Sequence, residues 1–102
     1  MNLALKVNDN DNVATIFAHG ICDGERIVIL DKAGHRDSAT VTGDVPYGLK
    51  VAVRDIRLGE DIIKYGQAIG IATRDIKKGE YTHVHNLESK RGRGDWEQEA
   101  KE

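Results

Sequence analysis

Two histidines two residues apart, His83 and His85, are the residues whose types and spacing most directly suggest chemistry. Side chains alternate along a strand, so on a strand these imidazoles share a face with Cα atoms roughly 6 to 7 Å apart. Both could then converge on one divalent cation, with Val84 turned the other way into the core, and imidazole suits Fe, Zn, Cu and Ni. Such a pair leaves coordination positions open, so further ligands must come from elsewhere. The plainer alternative is two strand histidines facing water. His19, just before a turn, and His35, in a polar loop, are not expected to be ligands. Asn86 follows where the strand must end; it tolerates left-handed geometry, so a turn role stands beside substrate contact.

Lys50 and Lys64 are the other reactive candidates. A lysine can clamp a carboxylate, or act as a base when desolvated; the alternative is a solvated surface lysine. Lys64 and Tyr65 alternate along their strand and can share a pocket only if Gly66 breaks it. Arg91 and Arg93 stand on a glycine frame, Arg91-Gly92-Arg93-Gly94-Asp95. Guanidinium forks bind carboxylate, sulfonate or phosphate bidentately, against the alternative of a solubilising linker. The Arg-Gly-Asp tripeptide is read as coincidence. No Ser-His-Asp constellation, phosphate-cradling glycine loop or cysteine cage is present, so a self-contained hydrolase is poorly supported.

The elements that must position these residues are announced by an internal echo. Ile21-Cys22-Asp23-Gly24-Glu25, Ile56-Arg57-Leu58-Gly59-Glu60 and Ile76-Lys77-Lys78-Gly79-Glu80 each read as an apolar anchor, a tight glycine turn and a following strand. Their unequal spacing argues for a compact β fold that reuses one turn three times. Further strands are expected at Ala39–Val41, Lys50–Val53 and Ile69–Thr73. Asp11 to Ala18 reads as one short helix, capped by Asp11 or Asn12, with Val13, Ile16 and Phe17 as its apolar stripe. After Leu87 the composition turns polar; residues 88–102 are expected to be a flexible tail, or a peptide that folds against another surface.

The chain has 102 residues, 39% of them hydrophobic, with one Phe and one Trp. That is room for one domain with a modest core, for which docking or self-association is a common source of added stability. A formal net charge of −2 gives no electrostatic reason to expect nucleic acid or an acidic membrane. Cys22, the single cysteine, excludes an intrachain disulfide, and neither a leader nor a bilayer-length apolar run is evident. A cytoplasmic setting is therefore expected. Cys22 has no basic cluster beside it and reads as a semi-buried residue without reactivity.

Taken in order, several motifs closely resemble the SAF-type domain of the altronate and galactarate dehydratase family. They are Asp11-Asn12-Val13-Ala14-Thr15, Pro46-Tyr47-Gly48-Leu49-Lys50, Ile62-Ile63-Lys64-Tyr65-Gly66, Ile69-Gly70, Asp75-Ile76, Gly79-Glu80, His83-Val84-His85-Asn86-Leu87 and the Arg-Gly-Arg-Gly-Asp segment. The resemblance runs from about Leu3 to Asp95. It implies a mostly β, β-clip module of bent ribbons, and, with the stop at Glu102, a stand-alone small subunit that works with a large dehydratase-type chain. The chemistry implied is β-elimination of water or sulfite from a 2-hydroxy sugar acid or sulfonate, with a divalent metal, usually Fe2+, as Lewis acid shared with the large chain. On this resemblance His83 and His85 would sit at or near the metal. Lys50, Lys64 and Asn86 would line the site, and the basic segment with Arg91 and Arg93 would engage the large subunit or an anionic group. Leu49 stands where relatives often carry histidine, which weakens a proton-transfer role for that loop; the first turn opens His19-Gly20-Ile21 where relatives tend to carry Asp-Ile. A non-catalytic module that binds a sugar acid or protein, and an orphan metal-binding domain, are the alternatives. Self-association through a β edge is also open.

Overall fold

The computed structural model describes residues 2–89. Among these residues are nine strands: β1 Leu3–Lys6, β2 Val13–Ile16, β3 Arg26–Asp31, β4 Arg36–Thr40, β5 Lys50–Ala52, β6 Asp61–Lys64, β7 Gln67–Ala72, β8 Tyr81–Thr82 and β9 Leu87–Ser89. Six of them form one sheet in the order β4-β3-β1-β2-β5-β8, and three form a second in the order β6-β7-β9. All pairings are antiparallel except that of β1 with β3. The expected mostly β architecture is what the chain adopts.

Alternation along β2 and β5 divides the interior in two. Ala14, Ile16 and Val51 point into a core built with Ala4, Ile21, Ile27, Ile29, Val41 and Val45. Val13 and Ala52 point the other way, into a second core with Ile56, Ile62, Ala72, Ile76 and Leu87. The large sheet thus lends one face to each core, and the small sheet closes the second.

The expected helix over residues 11–18 is not formed; Val13–Ile16 is a strand buried at every position. The stripe of Val13, Ile16 and Phe17 fits helical spacing, but Val13, Ala14, Thr15 and Ile16 all find buried neighbours, which an amphipathic helix on a surface would not supply. Asp11 and Asn12 do not cap. Asn12 accepts from Ile63 N at 2.7 Å through Oδ1 and donates to Asp61 O at 2.7 Å through Nδ2. It therefore bonds to β6 across the register shift between Ile62 and Ile63, acting as the strut between the sheets. Asp11 holds the other end of the same hairpin by accepting from Gly66 N at 2.8 Å.

The echoed turn occurs four times, once more than expected. Residues 22–25, 46–49, 57–60 and 77–80 each close with a backbone bond from the fourth residue to the first, 2.9 to 3.2 Å long. Their glycines Gly24, Gly48, Gly59 and Gly79 share φ values between 84° and 87°. The turns work in pairs, joined by Ile21 against Val45 and Ile56 against Ile76. In the second pair the aspartates are reciprocal: Asp75 accepts from Leu58 N and Asp55 from Lys78 N, both at 2.9 Å. In the first pair Asp44 accepts from Asp23 N at 2.9 Å, and Gly20 stands where the reciprocal aspartate would be. The unequal sequence spacing follows, because copies associate two by two and need no regular period. Leu49 in place of glutamate hid the copy at 44–48 from the sequence comparison, while its Asp-Val-x-x-Gly pattern matches Asp-Ile-x-x-Gly at 55–59 and 75–79.

Candidate functional site

Lys50 lies in β5 between Thr15 on β2 and Thr82 on β8, its register partners. Its side chain shares the face of Val13 and Ala52, so its stem enters the space between the two sheets. Lys64 ends β6 and is followed by the two-residue hairpin Tyr65-Gly66. Both hairpin residues have positive φ, 55° and 75°, as a type I′ turn requires. Gly66 does therefore end the strand, and the Lys64 ammonium lies 5.1 Å from the Tyr65 ring centroid.

His83-Val84-His85 is not a strand. β8 stops at Thr82, and His83 to Asn86 form a turn that leads into β9. Val84 is correspondingly 76% exposed instead of buried in the core. The cause is Asn86. Its fully buried amide accepts from His83 N at 2.9 Å and donates to Tyr81 O at 2.9 Å and Glu80 Oε2 at 3.3 Å, while the Asn86 and Leu87 amides both bond to His83 O. Those bonds curl the chain before a third strand residue can pair. Every polar atom of the Asn86 amide group is engaged within the chain. The two imidazoles are instead organised by Tyr81, whose ring stacks on His83 (5.8 Å between centroids, 11° between planes) and meets His85 at 5.1 Å with a 48° tilt.

Electrostatics join these residues. Burial first, and then the charge of Lys64, push the Lys50 ammonium below the usual lysine range. Burial, followed by Lys50 and then His85, holds His83 below the usual histidine range. Lys64 thus bears on Lys50, and Lys50 and His85 on His83, across three separate elements. Among the described residues neither lysine has a carboxylate ion-pair partner. Glu80, close at hand, is turned to Asn86 and Arg74. Two ammonium groups without a carboxylate counter-ion, on half-buried side chains near an imidazole, are a donor set for a carboxylate or sulfonate.

The donors fit a resident metal poorly. Among the described residues no group of three or more His, Cys, Asp or Glu converges. A divalent cation here would take at most His83 and His85 from this chain and would meet two positive charges. Arg91 and Arg93 lie outside the described residues. His35 pairs with Asp31 at 3.0 Å, and His19 stacks on Tyr47 at 4.5 Å between centroids, both away from the cluster. Cys22 is exposed. Sequence reasoning missed Tyr81 and Asn12; the aromatic residue two before His83 was the available signal for the first. No helix among the described residues is long and apolar enough to cross a membrane.

Comparison with known proteins identifies the family. Residues 2–90 match the altronate/galactarate dehydratase SAF domain. Subunit alpha of the (2R)-sulfolactate sulfo-lyase of Chromohalobacter salexigens is 32% identical over 94 residues, covering 89% of this chain and 99% of that subunit. The corresponding subunit from Paracoccus pantotrophus is 38% identical over 65 residues, 64% of this chain and 94% of its own length. Altronate dehydratase of Bacillus subtilis is 35% identical over 89 residues, covering 87% of this chain but only 17% of the enzyme. The same module therefore occurs both as a separate subunit and as a small part of a long chain. The protein described here belongs to the altronate/galactarate dehydratase SAF domain family.

Proposed function

We propose that this chain is the small subunit of a carbon–oxygen or carbon–sulfur lyase that eliminates water or sulfite from a 2-hydroxy acid, with a large dehydratase-type chain completing the active site. The observation that carries the reading is that half-buried Lys50 lies within electrostatic reach of both Lys64 and His83, with no carboxylate ion-paired to either lysine among the described residues. Elimination begins with loss of the proton α to a carboxylate, which leaves negative charge on the carboxylate carbon framework. Lys50 and Lys64 would bind that carboxylate, and their charges favour the carbanion-like transition state more than the neutral-carbon ground state. His83, held below the usual histidine range by burial first and then by the charge of Lys50, is the residue of this chain we assign to accept a proton near neutral pH. Fe2+, which the family resemblance implies, would have to be held by the large chain, since the donors of this chain fit it poorly. The names of the relatives support a lyase of this type, acting on a sugar acid or a sulfonate.

The test is co-expression with the large chain, followed by elimination assays on hexonates and sulfolactate under anaerobic iron(II). Turnover that needs both chains and falls at least a hundredfold in Lys50→Met and His83→Gln supports the reading. A stable complex whose turnover ignores both substitutions removes these residues from the site. Ligand binding without turnover by any pairing would make the chain a binding module.

A further inference from the structure

The parallel pair β1–β3 is apolar on both faces. Ala4, Ile27 and Ile29 point into the first core, whereas Leu3, Leu5, Val28 and Leu30 point away from it, in register Leu3 with Val28 and Leu5 with Leu30. These four side chains are half-buried and belong to neither core. Parallel strands with continuous apolar runs are normally covered on both faces. Here the small sheet covers only the neighbouring stretch of that face, at Val13 and Ala52. Phe17, 41% exposed and in edge contact with Tyr47 at 5.9 Å, continues the uncovered strip.

Charge identifies what covers it. Register places Lys50 on the same face, and Arg26 as well, whose guanidinium lies 3.4 Å from Ser38 on β4. Arg36, in register with Leu30, adds a third cation, and the other strand positions of the face, Thr15, Ser38, Thr40 and Thr82, are neutral, so it carries cations without carboxylates. A second copy related by two-fold symmetry would set cations against cations. Relatives carry this module either as a named subunit alpha or as 17% of a longer chain.

We infer that the Leu3, Leu5, Val28, Leu30 and Phe17 strip is the surface on which the large dehydratase-type chain docks, presenting an apolar patch edged with carboxylates. The inference rests on the two-chain reading above and adds which face is used. Docking there would cover the face that carries Lys50 and so shield it from water.

The experiment uses the full chain and the large dehydratase-type chain of the same genome, with affinity measured by titration calorimetry. Val28→Lys and Phe17→Asp are each expected to weaken binding at least tenfold, and Arg26→Glu to slow association and reduce its salt dependence. Leu58→Lys, at a 66% exposed position in another turn, is the control expected to bind like the parent. Melting curves verify that each variant is folded; Phe17 is exposed enough to keep the test valid should Val28→Lys unfold. Folded face variants that bind like the parent would overturn the docking face and leave the two-chain reading intact. No binding by the parent chain would overturn that reading and the face with it. A homodimer of the parent, dissociated by Val28→Lys in sedimentation, would assign the strip to a second copy and overturn the inference.

Discussion

Replacing Asn86 with alanine separates a turn residue from a substrate ligand. The buried amide satisfies His83 N and Tyr81 O, each at 2.9 Å, and makes a longer bond to Glu80 at 3.3 Å. Alanine leaves a partly buried donor and acceptor without their partners, and each such group costs about 1 to 3 kcal/mol. Water reaches part of this region, which favours the lower end, so roughly 2 to 3 kcal/mol of stability should be lost. For a domain of this size each kcal/mol moves the melting temperature by roughly 4 to 8 °C. Asn86→Ala should therefore melt about 10 to 20 °C lower, as followed by circular dichroism. The His83 to His85 turn should also loosen, with faster amide exchange at His83 and Leu87, whose bonds define it. A melting point within about 2 °C of the parent would refute this reasoning. The amide would then not be needed to hold the turn and would be free to serve a ligand.

Two glycines of the repeated turn should respond differently to alanine despite nearly equal φ. At Gly24 an added Cβ meets nothing within 4 Å, so Gly24→Ala should cost only the left-handed penalty, roughly 1 to 2 kcal/mol. At Gly79 it would lie 2.1 Å from Thr40 O, a backbone atom, so Gly79→Ala should lose about 4 kcal/mol or more and fail to give a cooperative melt. Tyr65 occupies φ 55° in its hairpin, and Tyr65→Asn should recover about 1 kcal/mol, raising the melting point. An unchanged or lower melting point would show that the Lys64–Tyr65 contact outweighs the backbone term. For His83, the folded chain releases its proton at a lower pH than the unfolded chain, whose value is near 6.5. The unfolded state then binds more protons between the two values, so this contribution is full above about pH 6.5 and is lost as pH falls through the folded value. Lys50→Met should raise the His83 midpoint in an NMR titration; an unshifted midpoint would break the proposed coupling.

Much of the architecture was legible because turn chemistry is local. The sequences around Gly24, Gly59 and Gly79 announce their turns whatever surrounds them, and Lys50–Val53 and Ile69–Thr73 alternate or run apolar as strands do. The strand at Val13–Ile16 was not legible. Its residues suit a helical stripe as well as a doubly buried strand, and only the two cores on its opposite faces decide between them. The polar pair before it, Asp11-Asn12, fits a helix cap equally well until β6 arrives to be bonded.

The candidate site divides along the same line. Sequence alone determined which groups are present: imidazoles at His83 and His85, ammonium groups at Lys50 and Lys64, and the motif order that marks the family. It could not determine that Lys64 bears on Lys50 and Lys50 on His83, because they stand on β5, β6 and the turn after β8, and what brings them within electrostatic reach is strand pairing and the packing of one sheet on another. Nor could it show that the histidines leave the strand, since the decisive contact is the buried Asn86 amide closing on Tyr81 and His83. Residue type sets what chemistry a group can do. Long-range packing sets its neighbours, its access to water and therefore its charge state, and these are quantities that only the folded chain possesses.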